Sequence, residues 1–209
     1  MDEQTAGVMP EQQPEEPYTP KEFLGDLMDL LTAVLTVVFI VMLLYAYVFC
    51  MADVKGESME PTLNDRDRLV VLRCGREYER GDILIINSVN AYLFDGHNQL
   101  VRRDGLGEQI VKRLIAKGGQ TVNIDFSAGK ISVDGYYLNE PYIKDKTRSN
   151  SGAFQYPMTV PEGYLFVMGD NRNVSKDSRS PDVGLIREEA VVGRAVFRLM
   201  PFQNMGTLD

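Results

Sequence analysis

The sequence predicts a mainly β protein, with a single N-terminal transmembrane helix followed by a mostly antiparallel sheet domain. Three observations lead there. An uncharged run of 23 residues extends from Leu30 to Ala52, residues 53–209 hold a series of short β-branched runs, and the chain begins with an acidic, proline-rich stretch. The whole chain has 209 residues and a formal net charge of -8, so its size suits one domain plus additions.

Residues 1–26 carry seven acids against one base, Lys21, together with four of the ten prolines. So little apolar surface cannot offset the entropy of ordering, and residues 1–18 are expected as a disordered acidic tail. Thr19-Pro20-Lys21-Glu22 has the form of a capping box with proline at the first helical position, which opens a helix. The run LLTAVLTVVFIVMLLYAYVFCMA (30–52) would span roughly 35 Å as a helix, enough for a bilayer. Residues 19–52 therefore read as a membrane anchor with its apolar core at 30–52. Cys50-Met51-Ala52 loosely resembles the end of a cleaved secretory signal, but the run is too long and its N-terminal flank is acidic rather than basic. A positive-inside count, with Lys21 before the span and Lys55, Arg66 and Arg68 after it, decides little for a long domain.

Residues 53–209 hold 22 acids and 21 bases. The runs DRLVVLR (67–73), DILIIN (82–87), EQIVKRLIA (108–116), QTVNI (120–124), GYLFVMGD (163–170) and AVVGRAVFRLM (190–200) are β-branched and bounded by turn formers, which makes this a β-rich domain. Lys130 to Leu138 adds a hairpin with Asp134-Gly135 at its turn.

Composition removes several chemistries. One His and two Cys leave no zinc ligand set, so no metal or other cofactor is expected, and Cys50 and Cys74 read as thiols. The acidic balance argues against a nucleic-acid partner. The only histidine, His97, lies in the polar loop Phe94-Asp95-Gly96-His97-Asn98 and reads as a solvated residue rather than a base.

Three segments could carry chemistry. In Gly56-Glu57-Ser58-Met59-Glu60-Pro61, the glycine and proline hold Ser58 in a rigid exposed turn, which suits a hydrogen-bonding turn residue or a nucleophile. Lys112 stands inside the apolar strand 109–116, as a buried base or as a charge on a solvated edge. Gly169 to Arg179 forms a polar loop able to brace a site, or a plain turn cluster with an Asp177–Arg179 ion pair.

Together these segments resemble the bacterial type I signal peptidases, membrane-anchored Ser/Lys endopeptidases that cut leader peptides from exported proteins. GESMEPTL resembles their nucleophile box, DRLVV the following strand, IVKRLIA the lysine box, GDNRNVSKDSR the closing loop and VDGYYLNEPYI an insert strand, over residues 22–202. The resemblance implies a sheet domain of the signal-peptidase type with Ser58 as nucleophile and Lys112 as general base. It places Ser175 near the lysine amine, with Asp177, Arg179 and Arg113 as an ion-paired brace, and Met59 and Pro61 in the substrate cleft. The Ser58 N–H would meet the oxyanion; where some relatives add a serine hydroxyl, this chain has Gly56. After the lysine box the chain reads Ala116-Lys117-Gly118-Gly119-Gln120, without the proline and acid of many relatives, so a freer turn is expected.

The resemblance further implies signal-peptide-bearing preproteins as partners, cut after small-x-small sites, with secretion machinery nearby. It implies a single-pass protein of the cell membrane, N-terminus in the cytoplasm and catalytic domain outside. Reach alone points the same way: the six residues from Ala52 to Ser58 extend at most about 20 Å, so Ser58 works near the lipid surface. A self-cleaving repressor-type peptidase would carry a DNA-binding module in place of the anchor; the other rival, a membrane-tethered β-domain that binds extended peptides without cutting them, has the presence of both Ser58 and Lys112 against it.

Overall fold

The computed structural model describes residues 19–75 and 77–208. The tail expected at 1–18 lies outside the described residues. Helix α1 (Pro20–Tyr47) opens on the capping box: Glu22 N–H donates to Thr19 Oγ1 at 3.3 Å, and Thr19 N–H returns a bond to Glu22 Oε2 at 2.7 Å. None of its side chains is buried within the chain, and its length and composition make it a candidate membrane anchor. The hydroxyls of Thr32 and Thr36 donate to the carbonyls of Met28 and Thr32, each at 2.8 Å, which removes two free polar groups from the apolar run.

The apolar run divides earlier than expected. The helix ends at Tyr47 instead of continuing to Ala52, and β1 (Phe49–Asp53) pairs antiparallel with β2 (Arg68–Leu72), Cys50 opposite Val71 and Ala52 opposite Leu69. Both Val48 and Phe49 favour strands, and β2 supplies the partner that the uncharged sequence alone does not reveal. Arg73 N–H donates to Val48 O at 2.8 Å, closing the junction.

The remaining strands are β3 (Ile83–Phe94), β4 (Leu100–Lys117), β5 (Thr121–Asp125), β6 (Lys130–Val133), β7 (Tyr136–Tyr137), β8 (Met158–Thr159), β9 (Tyr164–Met168), β10 (Ile186–Arg187), β11 (Val191–Met200) and β12 (Gly206–Thr207). They form two antiparallel sheets. The larger runs β1-β2-β11-β3-β4-β9-β10 with β12 on β11, and the smaller runs β7-β6-β5-β8. The β6–β7 turn places Asp134 and Gly135 at φ of 54° and 82°, the two left-handed positions of the expected hairpin.

β3 and β4 are longer than their apolar runs, because Ser88 to Phe94 pairs with Leu100 to Glu108 around the Asp95 to Gln99 turn. That distal arm is held by burial of Leu93 against Leu185 and Phe154, and His97 sits exposed in its turn. At the sheet centre, alternation sends Leu114 and Ile115 of β4 to different cores, and likewise Val167 and Phe166 of β9. Strands buried on both faces need no polar alternation, which explains the unbroken runs RLIA and LFVM.

Phe166 is fully buried, edge-on to Tyr156 at 6.2 Å between ring centroids and beside Phe154 at 6.4 Å. Phe166→Ala is expected to lower stability by about 3 to 5 kcal/mol, measured by urea unfolding followed by near-UV circular dichroism, with most of the loss arising from the cavity.

Candidate active site

Ser58 sits on a turn that is pinned from below. Gly56 adopts φ +79° and gives its N–H to Asp65 Oδ1 at 2.8 Å, while Met59 and Leu63 are fully buried beneath the turn against Leu69, Val71 and Ile83. Met59 is thus the anchor of the turn rather than a wall of the cleft. Pro61 is exposed and also stays clear of the groove. The groove beside Ser58, about 530 Å³, instead runs between Met51 to Lys55 on one side and Leu106 to Lys112 on the other. The sequence reading missed β1 as a wall because it placed Phe49 to Ala52, most of that strand, in the helix.

Lys112 comes from β4 and is 4% exposed. Its Nζ donates to Ser58 Oγ at 2.7 Å and to Val111 O at 2.9 Å. Burial pushes the amine down from an ordinary lysine value to about 8, against the opposing pull of Asp177, Asp170 and Glu108. An amine that gives up its proton near neutrality, one hydrogen bond from a hydroxyl, can take the proton of that hydroxyl.

The nearby carboxylates are tied elsewhere, in two separate ion pairs. Asp170 accepts from Arg113 Nε and Nη2 at 2.9 and 2.8 Å and from Thr62 Oγ1 at 2.5 Å. Asp177 accepts from Arg179 Nε and Nη2, both at 2.8 Å, and from Gly169 N–H at 3.0 Å. The expected three-residue brace is therefore corrected: Arg113 pairs with Asp170, which was not among the expected site residues, and Asp177 pairs with Arg179. Arg113 also lies 4.1 Å over the Tyr142 ring, whose phenol burial pushes up. Glu140 binds Arg172 through its carboxylate, so the 140–147 segment backs the polar loop. Glu140 and Tyr142 lie in VDGYYLNEPYI, which was read as an insert strand with no role at the site; past Tyr137 it is irregular, and only the fold brings these two side chains to the arginines.

The loop after β9 closes on the serine turn. Asn171 N–H donates to Ser58 O at 3.0 Å and Asn171 Nδ2 to Glu57 O at 3.1 Å. A Cβ at Gly169 would collide with both Ser58 O and Ser175 Oγ, so only glycine permits this approach. Ser175 Oγ is buried beside that contact but has no hydrogen-bond partner among the described residues, so the expected bond to the lysine amine is not formed. No group of three or more His, Cys, Asp or Glu able to hold a metal occurs among the described residues, and Cys50 and Cys74 are free thiols.

Comparison with known proteins supplies the family. Residues 27–200 match the model of the family described as signal peptidase, peptidase S26. The signal peptidase I of Bacillus licheniformis is 35% identical over 205 residues, covering 93% of this chain and 99% of that protein. The signal peptidase I T of Bacillus subtilis strain 168 is 35% identical over 183 residues, covering 83% of this chain and 85% of its own length. A crystal structure of a signal peptidase I from Enterococcus faecalis V583 aligns with a TM-score of 0.41 at 27% identity, covering 56% of this chain and 96% of the other. The match to the family model and the identity to relatives over most of the chain show that it belongs to the signal peptidases of the S26 family, hydrolases that remove signal peptides from preproteins.

Proposed function

We propose that this chain is a membrane-anchored serine endopeptidase in which Ser58 is the nucleophile and Lys112 the general base, cutting preproteins after small-x-small sites at the membrane surface. The observation that carries the reading is the 2.7 Å contact between Ser58 Oγ and a buried Lys112 Nζ. The preprotein lies extended in the groove, whose apolar lining, with Ala52, Val54 and Ile110, receives the small side chains before the cut. With Lys112 neutral, the contact reverses and Ser58 O–H donates to Nζ. Ser58 Oγ attacks the scissile carbonyl as its proton passes to Nζ, and the Ser58 N–H meets the oxyanion. The ammonium then gives that proton to the leaving amine. Water, deprotonated by Lys112, attacks the acyl ester, releases the peptide acid and returns Ser58 to its hydroxyl form. Ser175, buried and unpartnered beside the turn, orients the neutral amine by rotating its hydroxyl toward it. Gly56 brings no side-chain donor and its N–H is held by Asp65, so the oxyanion relies on the Ser58 N–H.

The candidate anchor α1 keeps the enzyme at the bilayer where its substrates arrive, with the N-terminus in the cytoplasm and the sheet domain outside, close to the secretion machinery.

Purified protein incubated with a preprotein tests the pair: Ser58→Ala and Lys112→Ala should each abolish release of mature protein, and parental release by either would refute the assignment. The pH profile is a second check. An amine near 8 is roughly 10% neutral at pH 7, against roughly 0.03% for an ordinary lysine, so the rate should climb from pH 7 to pH 9 with its midpoint near 8. A flat rate from pH 6 to pH 9 would rule out a lysine base.

A further inference from the structure

The groove carries charges that the proposed chemistry does not use. β1 follows α1 in the chain and runs toward Ser58, and with every neighbour antiparallel in the order β1-β2-β11-β3-β4, strand β4 points the same way as β1. A preprotein's cleavage site follows its apolar segment as β1 follows α1. A substrate leaving the membrane therefore runs between these walls in the same direction, with the cut at the level of Lys112. Residues earlier on β4 then face residues earlier in the substrate.

Strands keep pace at about 3.3 Å per residue and return to the same side every second residue. Glu108, four positions before Lys112 and on the same side of β4, is level with the substrate residue about four positions before the scissile bond. Among the other charged residues bordering the groove, Asp53 is held by Arg68 at 2.8 Å and Lys176 by Asp182 at 3.2 Å, while the exposed Lys55 lies on the opposite wall, three residues before Ser58 and so nearer the cut than Glu108. Glu108 is exposed and has no ion-pair partner among the described residues. Its charge is felt along the groove, since it opposes the loss of the Lys112 proton.

Resting on the reading of the groove as the peptide site, we propose that Glu108 is a specificity-determining residue: it favours preproteins with a basic side chain about four positions before the cut and disfavours those with an acidic one there. The pairing is at a solvated rim, so its effect is a modest, salt-sensitive ratio rather than an absolute gate.

The test uses three preproteins that differ only at the fourth residue before the cut, which is Lys, Gln or Glu, with kcat/KM measured for the parent, Glu108→Gln and Glu108→Lys. The parent should prefer Lys over Glu by about fivefold at low salt, with the ratio falling toward one as salt is raised. The preference should collapse in Glu108→Gln and invert in Glu108→Lys. Because each ratio is taken within one enzyme, any influence of the Glu108 charge on Lys112 cancels. An unchanged ratio in Glu108→Lys would overturn the proposal. The Gln preprotein separates the two layers: cleavage of it that survives Ser58→Ala would refute the dyad, whereas Ser58-dependent cleavage that ignores charge would refute only the role of Glu108.

Discussion

The site is organised around keeping one buried lysine from holding its proton. Burial disfavours the Lys112 ammonium by about 3 kcal/mol, and one uncompensated carboxylate at contact distance would restore it. Two aspartates stand close enough to act on it, and each is saturated by a buried arginine: Asp170 by Arg113 and Asp177 by Arg179. Buried ion pairs of this kind contribute little net stability once desolvation is counted. Their consequence here is electrostatic, because each arginine fixes its loop and sets a positive charge beside the carboxylate, so that the pull of Asp177 and Asp170 on the amine stays smaller than the effect of burial.

That arrangement explains why distant segments converge. β4 carries Lys112 and Arg113 in succession, so strand alternation turns the amine toward Ser58 and the guanidinium toward Asp170. β9 ends at Met168 and delivers Gly169, whose missing side chain lets the Ser58 carbonyl and Ser175 approach each other. The serine turn is in turn fixed by Met59 and Leu63, sunk in the core beneath. Lys144 reaches Glu60 at 2.7 Å and its N–H donates to Asp170 O at 3.1 Å, which ties the 140–147 segment to both loops. The Ser58 turn, the Lys112 strand and the polar loop are thus parts of one packed unit.

Much of this was legible in the sequence, and the failures have physical causes. The capping box at Thr19 and the Asp134-Gly135 turn are local signals and appear where they were expected. The end of α1 was not readable, since Val48 to Ala52 is as free of charge as the helix before it and becomes a strand only through β2. The strand runs read at 82–87 and 108–116 stop short of the distal hairpin of β3 and β4, because Arg102, Arg103 and Asp104 mask the pairing. At the site, motif order singled out Ser58, Lys112 and the polar loop, which the fold brings together, whereas pairing within the loop depends on side-chain geometry. Hence Arg113 was grouped with Asp177 and Arg179 in one brace, whereas it pairs with Asp170, and Met59, expected in the cleft, is fully buried beneath the turn. The net charge of -8 also proved uninformative about the groove, where single residues such as Glu108 matter and the domain is nearly balanced.

The central claim is that the folded protein, before any substrate binds, holds Lys112 as a base poised near neutrality. The most direct measurement is a pH titration of the Lys112 side chain by NMR of protein carrying 13C-labelled lysine, with the resonance assigned by its absence in Lys112→Arg. The account predicts a midpoint near 8, well apart from the exposed lysines. A Lys112 midpoint at the ordinary lysine value, about 10.4, would contradict it.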